Sequence, residues 1–345
     1  MKNILITTAF CLGMPITSYA QSSVTLYGLI DASLSWNTNA NSSGKSVIQA
    51  NPGQLAGDRW GISGTEDLGG GVKAIFLLEN GYSIMNGTLG QNNRLFGRSA
   101  YVGIAYDRTS ITMGRQYVIG FDAMVKFAPL GYANTNNNDA LIPYKDAGGT
   151  ETGSRQDNTI KIKQGFGDFT VGAAVAPGGV PGSATSGLYW GASGAYDHGP
   201  ISAMVFAQAT RAGGTNTGAY QTLGTAVAYS FTKTSVSLGY LDNRSKLGNG
   251  QVDRVFYSDL NYRISPSLLI DLGATYDRQT GPSGSRQTYV ALVDYFLSKR
   301  TDIYVQSDYN KWGGKFSLVS GLGLAAPSMA YENRFGLAMG IRHRF

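Results

Sequence analysis

The sequence predicts an all-β chain folded as a 16-stranded antiparallel transmembrane β-barrel. Three observations predict it. Apolar and polar side chains alternate at period 2 along most of the chain, the alternating segments have the length of a tilted bilayer-crossing strand, and short and long connections take turns between them. The composition agrees: 14% of the 345 residues are charged, against about 25% in an ordinary soluble domain. Glycine supplies 47 residues and tyrosine 21. A mean hydropathy of −0.12 is far too low for a helical membrane protein. No stretch offers the about 20 consecutive apolar residues of a spanning helix. The longest uncharged run past the first strand segment, 169–196, carries Pro177, Pro181 and many glycines, which would break one.

The elements follow in order. Lys2 and Asn3 precede an apolar run, Ile4 to Ile16, and then Ser18-Tyr19-Ala20. A positive start, a run too short to span and a small-x-small ending read as a signal peptide over 1–20, cleaved after Ala20. Residues 21–345 are then one barrel. Cys11, the single cysteine, leaves with the leader, and the bulky Phe10 before it argues against a lipoprotein site. The whole chain is +6, and losing Lys2 leaves +5.

In the first strand segment Val24, Leu26, Ile30, Leu34 and Trp36 share one parity, opposite Asp31, Ser33 and Ser35. Near residue 272, Leu268, Ile270, Leu272, Ala274 and Tyr276 alternate with Asp271, Gly273, Thr275 and Asp277. Near residue 304, Ile303, Val305 and Tyr309 alternate with Asp302, Tyr304, Gln306 and Asp308. Short turns stand at 67–71, 108–109, 165–167, 198–200, 231–233, 265–267 and 298–300; long polar loops stand at 37–54, 83–96, 117–154, 177–187, 243–251 and 311–332. Seven short turns between eight hairpins give sixteen strands, and unpaired backbone in lipid is so costly that the sheet must close. The first and last strands, near Val24 and Leu337, are therefore expected to pair. The last strand puts Phe345, His343, Ile341, Met339, Leu337 and Phe335 toward lipid and Arg344, Arg342 and Arg334 toward water.

Several function classes drop out. An outer-membrane lipase or protease would need a serine with a histidine in reach on the outer face, whereas the two histidines, His198 in a short turn and His343 next to the end, both fall on the periplasmic side. No metal cluster or cofactor motif is present, so no cofactor is expected and the chain reads as no enzyme. Gly69-Gly70-Gly71 lacks the helix and the Gly-Lys-Ser/Thr ending of a phosphate loop and reads as a turn. Basic residues are dispersed rather than clustered, which favours lumen lining over nucleic-acid binding.

Several stretches resemble one family, the trimeric general porins of β-proteobacteria of the neisserial–burkholderial type. They are Ser22-Ser23-Val24-Thr25-Leu26-Tyr27-Gly28, Gly61 through Glu79, Ala100-Tyr101-Val102-Gly103, Met113-Gly114-Arg115-Gln116-Tyr117, Leu297-Ser298-Lys299-Arg300-Thr301-Asp302 and Gly340-Ile341-Arg342-His343-Arg344-Phe345. They run in order along nearly the whole chain. The resemblance implies a homotrimeric passive diffusion channel for small hydrophilic solutes and ions, set among outer-membrane lipids. It also implies that Phe345 is the assembly signal read by the barrel-assembly machinery.

It further implies that the third long loop, 117–154, folds into the lumen as the constriction. That loop carries Asp122, Asp139, Asp146 and Glu151, with Lys126 and Lys145, and its segment Phe127-Ala128-Pro129-Leu130-Gly131 suits a short turn packed on the wall. In the family such acids confront arginines at the equivalents of Arg59, Arg98 and Arg155. By parity Arg59 faces the lumen with Gly61 and Ser63, and Arg155, Lys161 and Lys163 face it opposite Ile160 and Ile162. Arg98 departs from the pattern, because it shares the lipid parity of Ala100, Val102 and Ile104. A mid-depth arginine in lipid costs roughly 2–4 kcal/mol, so a bulge near Gly97 is expected to re-aim it, with Arg94 as the alternative. These charges predict a moderate preference for anions. The alternative is a substrate-specific channel, for example for sugars. It would need an aromatic stripe along the lumen, whereas the strand tyrosines divide between both parities, as girdle residues do.

Overall fold

The structure is a computed structural model and describes residues 22–131, 154–211, 218–246, 250–281, 283–316 and 331–345. The expected leader, 1–20, and the loop residues Asp139, Lys145, Asp146 and Glu151 lie outside the described residues. One antiparallel sheet holds every strand: β1 (Ser23–Asn37), β2 (Val47–Pro52), β3 (Arg59–Gly69), β4 (Val72–Gly81), β5 (Ser99–Tyr106), β6 (Thr109–Tyr117), β7 (Arg155–Phe166), β8 (Phe169–Ala176), β9 (Tyr189–His198), β10 (Ile201–Arg211), β11 (Gly218–Ser230), β12 (Thr234–Ser245), β13 (Val252–Ser265), β14 (Leu268–Thr280), β15 (Gly284–Phe296), β16 (Thr301–Gly314) and β17 (Asn333–Arg344). Strands β2 and β3 share a single place in the wall. β2 pairs with the upper half of β1, from Ala32 to Asn37, and β3 with its lower half, from Ser23 to Leu29. The wall thus has sixteen positions.

The ends meet as expected, in a register shifted from the expected one. Leu29 through Asn37 pair with Arg344 through Gly336, so Leu337 lies opposite Trp36 and not near Val24. Val24 pairs instead with Gly64 of β3. Phe345 seals the seam: its N–H and carbonyl exchange hydrogen bonds with Gly28, both at 3.1 Å.

Closure turns the usual burial pattern inside out. On β1, Val24 and Leu26 are 67% and 63% exposed, while Asp31 is 0% exposed and Ser33, Ser35 and Asn37 are buried. In lipid that is the favourable arrangement, since apolar side chains meet acyl chains and polar ones meet water or each other. Outward aromatics fall in two bands. Phe256, Tyr276, Tyr289, Tyr309 and Phe335 lie toward the long loops, and Tyr106, Phe166, Phe169, Tyr229 and Tyr295 toward the short turns. The turn after β3 is tight because Gly69, Gly70 and Gly71 all take positive φ (88°, 61° and 83°), where a side chain would be strained.

The lumen is not uniformly polar. Inside β8 to β13, Ala174, Ala176, Tyr189, Met204, Phe206, Ala226, Leu241, Val255 and Tyr257 form a buried apolar patch. It receives Val118, Ile119, Met124, Phe127 and Ala128 from the segment after β6. The segment starts as a short helix, Ile119–Met124, and ends in a 3-10 turn, Pro129–Gly131. The third long loop therefore does enter the barrel over its described part, 118–131. β10 announces this patch in the sequence, because Met204, Val205 and Phe206 are consecutively apolar, as in a strand buried on both faces.

Candidate constriction site

The inward segment follows the wall. Ile119 N–H donates to Tyr189 Oη at 2.9 Å and Gly120 N–H to Gln208 Oε1 at 2.8 Å. Ser237 Oγ donates to the Phe127 carbonyl at 2.7 Å, and Leu130 N–H reaches Asp259 Oδ1 at 3.2 Å. Pro129 fits against β14 only because residue 273 is glycine; a Cβ there would lie 2.4 Å from Pro129 Cβ. The segment thus covers the lumen face from β8 to β15 and leaves β3 to β7 open.

The charges gather on that open side. Arg59 starts β3, Arg155 starts β7, and Lys161 and Lys163 follow on β7. Arg98 lies just before β5 and is 7% exposed. Its Nε donates to Glu79 Oε1 at 2.7 Å and its Nη2 to Tyr117 Oη at 2.9 Å. Arg155 Nη2 donates to the same phenol oxygen at 2.7 Å, and its Nε to the Arg98 carbonyl at 2.9 Å. The Arg155 guanidinium also lies over the Tyr117 ring, 4.4 Å from its centroid. Tyr117 stacks in parallel on Phe121 of the inward helix, with centroids 4.3 Å apart. Lys161 Nζ donates to the Tyr117 carbonyl and, at 2.8 Å, to Asp122 Oδ2; Lys163 Nζ lies 3.1 Å from the same oxygen. Among the described residues of the loop, Asp122 is the acid that confronts the cations.

All five expected cations come together, but Arg98 arrives by a route other than parity. Val102 and Ile104 do point to lipid, at 60% and 54% exposure, and Ser99 points in. The pleat begins only at Ser99. Arg98 sits at a bend before it, with its N–H on the Glu79 carbonyl at 3.2 Å, so strand alternation does not govern it. The alternative, Arg94, belongs elsewhere: with Arg115 it pairs with Asp157 on the long-loop side. Lys126 is also drawn away, to Asp197 and Ser202. On the short-turn side Arg342 lies between Asp294 and Asp302, both at 3.0 Å, and Arg344 also meets Asp302, at 2.8 Å.

Sequence reading overlooked three residues of the cluster: Glu79, Tyr117 and Tyr27. Tyr27 Oη donates to Glu79 Oε2 at 2.8 Å, so Glu79 is held from two sides. From Ala74 to Leu78 both faces of β4 are apolar, which hides the face on which Glu79 lies. Arg59 differs from its neighbours. It is half-buried, has no ion-pair partner within 4 Å among the described residues, and lines a cavity of about 310 Å³ shared with Tyr101, Thr112, Lys161 and Lys163.

The arrangement is that of a narrowed aqueous passage with fixed positive charge on one side. Comparison with known proteins identifies the barrel. The profile described as Gram-negative porin matches residues 7–314. Outer membrane porin protein 32 of Delftia acidovorans is 28% identical over the full length of both chains. An outer membrane porin of Bordetella pertussis is 35% identical over 144 residues, which are 38% of this chain and 37% of that one. Among solved structures, the anion-selective porin from Comamonas acidovorans superposes with a TM-score of 0.78 at 23% identity, covering 94% of this chain and all of that one. OmpT of Vibrio cholerae follows at 0.68 and 12%, covering 94% and 98%.

Proposed function

Because the chain belongs to the Gram-negative porin family, and so is an outer-membrane diffusion channel, we propose that its passage prefers anions moderately and that Arg59, Arg98, Arg155, Lys161 and Lys163 form the cationic wall of its waist. The observation that carries this reading is the charge count at the waist. Five cations face two described carboxylates, Glu79 and Asp122, across the side of the lumen that the inward segment leaves open. The solved relative from Comamonas acidovorans, which bears the description anion-selective, supports the same sign.

Each residue has a part. Arg59 offers its charge directly to the cavity. Glu79 and Tyr117 anchor Arg98 and Arg155, and Asp122 both holds Lys161 and Lys163 and tempers their field. Arginine cannot lose its proton at ordinary pH, so this field persists across the working range. Asp139, Asp146 and Glu151 of the same loop sequence are proposed to temper the preference further, which keeps it moderate. The chain is proposed to be exported through a leader cleaved after Ala20, to be assembled through Phe345 and to work as a homotrimer. The test of selectivity is planar-bilayer recording of the purified protein under a salt gradient of potassium chloride. A reversal potential of the sign for chloride supports the reading, and one of the sign for potassium refutes it.

A further inference from the structure

A second segment also leaves the wall for the lumen. Between β2 and β3 the chain breaks off at Gly53, whose φ of 64° turns it inward, and rejoins at Arg59. Gln54 and Leu55 are buried, although long loops on this side should be solvated. Leu55 forms one apolar cluster with Val290, Leu292 and Tyr304, which point into the lumen, and with Leu130 in the 3-10 turn of the inward segment. Gln54 reaches Gln306 on β16 at 3.4 Å.

One carboxylate holds this segment. Asp31 of β1 accepts the N–H groups of Leu55 and Ala56 on Oδ2, at 2.7 and 2.9 Å, and the Tyr304 hydroxyl on Oδ1 at 2.6 Å. Its carbonyl accepts Gly53 N–H at 2.7 Å. Asp58 closes the far end by accepting Asp31 N–H at 2.6 Å and Ile84 N–H at 2.8 Å. Backbone donors would be orphaned by an inward excursion of six residues, and these carboxylates satisfy them. Without such acceptors the cost of unpaired groups would return the segment to the wall.

We infer that Gly53–Asp58 is a second constricting element, clasped by the Asp31 carboxylate, which completes the ring that residues 118–131 begin. The inward loop covers β8 to β15, and this segment, packed on β15 and β16 and tied to β1, continues the belt as far as β3. The free passage is thereby pressed against the cationic wall from β3 to β7. The inference rests on the channel reading but not on the sign of its selectivity, because the segment contributes width and no exposed charge.

The experiment uses the full-length protein in planar bilayers, with neutral polyethylene glycols of graded size as probes. Asp31→Ala releases the clasp. For a waist about 5 Å across, withdrawing one backbone width, about 5 Å, doubles the cross-section, so single-channel conductance should rise up to about twofold. Larger glycols should enter, and the reversal potential should keep its sign. A second variant leaves the clasp intact: Ala56→Cys, in a mature chain expected to lack cysteine, reacted in the open channel with a membrane-impermeant methanethiosulfonate. Added bulk there should lower conductance stepwise. Unchanged conductance and glycol cut-off in Asp31→Ala, or no response of Ala56→Cys to the reagent, overturns the inference. If Asp31→Ala does not assemble, the cysteine variant decides. An Arg59→Gln channel with unaltered reversal potential would defeat the selectivity reading alone.

Discussion

Arg59→Gln isolates a wall charge that no carboxylate holds. Arg59 is half-buried at the cavity and has no ion-pair partner within 4 Å among the described residues, whereas Arg98 and Arg155 are buried and hydrogen-bonded, so replacing either of those would also disturb the wall. A monovalent ion passing about 5 Å from the guanidinium, in water and with a Debye length of about 8 Å, feels about 0.4 kcal/mol. An anion gains that much and a cation loses it. The ratio of anion to cation permeability should therefore fall about fourfold to fivefold when Arg59 becomes glutamine. The assay is the reversal potential in a steep salt gradient, repeated at mildly acid and mildly alkaline pH. The difference between wild type and variant should be the same at both, since a guanidinium stays charged. It should shrink as total salt rises. Lys126→Gln is the control: Lys126 is tied to Asp197 and Ser202 and should leave the potential unchanged. A wild-type reversal potential in Arg59→Gln would show that the filter lies elsewhere.

Three other perturbations follow from the same contacts. Tyr117→Phe keeps the stacking on Phe121 but leaves Arg98 and Arg155 without their shared acceptor; thermal stability should fall by about 1–3 kcal/mol, and anion preference should weaken less than in Arg59→Gln, as read by heat-dependent gel mobility and reversal potential. Gly273→Val places a side chain where Pro129 sits, so the 3-10 turn should move into the passage and single-channel conductance should drop. Removing Phe345 takes away both hydrogen bonds to Gly28 at the seam, and assembled protein in the outer membrane should decrease while export continues, as measured by fractionation and immunoblotting.

Much of this protein was legible without a structure, for a local reason. In a strand each residue fixes the face of the next, so a few apolar positions such as Val24, Leu26 and Leu34 orient a whole segment. The same rule put Arg59, Lys161 and Lys163 in the lumen, and seven tight turns counted the strands. Tertiary structure decided what happens where the strand rule stops. Arg98 lies one residue before its pleat begins, and its direction depends on Glu79 and Tyr117, which meet it only across neighbouring strands. The seat of the inward loop depends on Tyr189, Phe206 and Asp259, which lie far from Ile119 and Leu130 along the chain. The inward turn at Gly53 depends on Asp31 and Tyr304, at opposite ends of the sequence. Alternation reports a side chain's face only within one strand, whereas the waist is built from irregular backbone whose hydrogen bonds are supplied by distant residues.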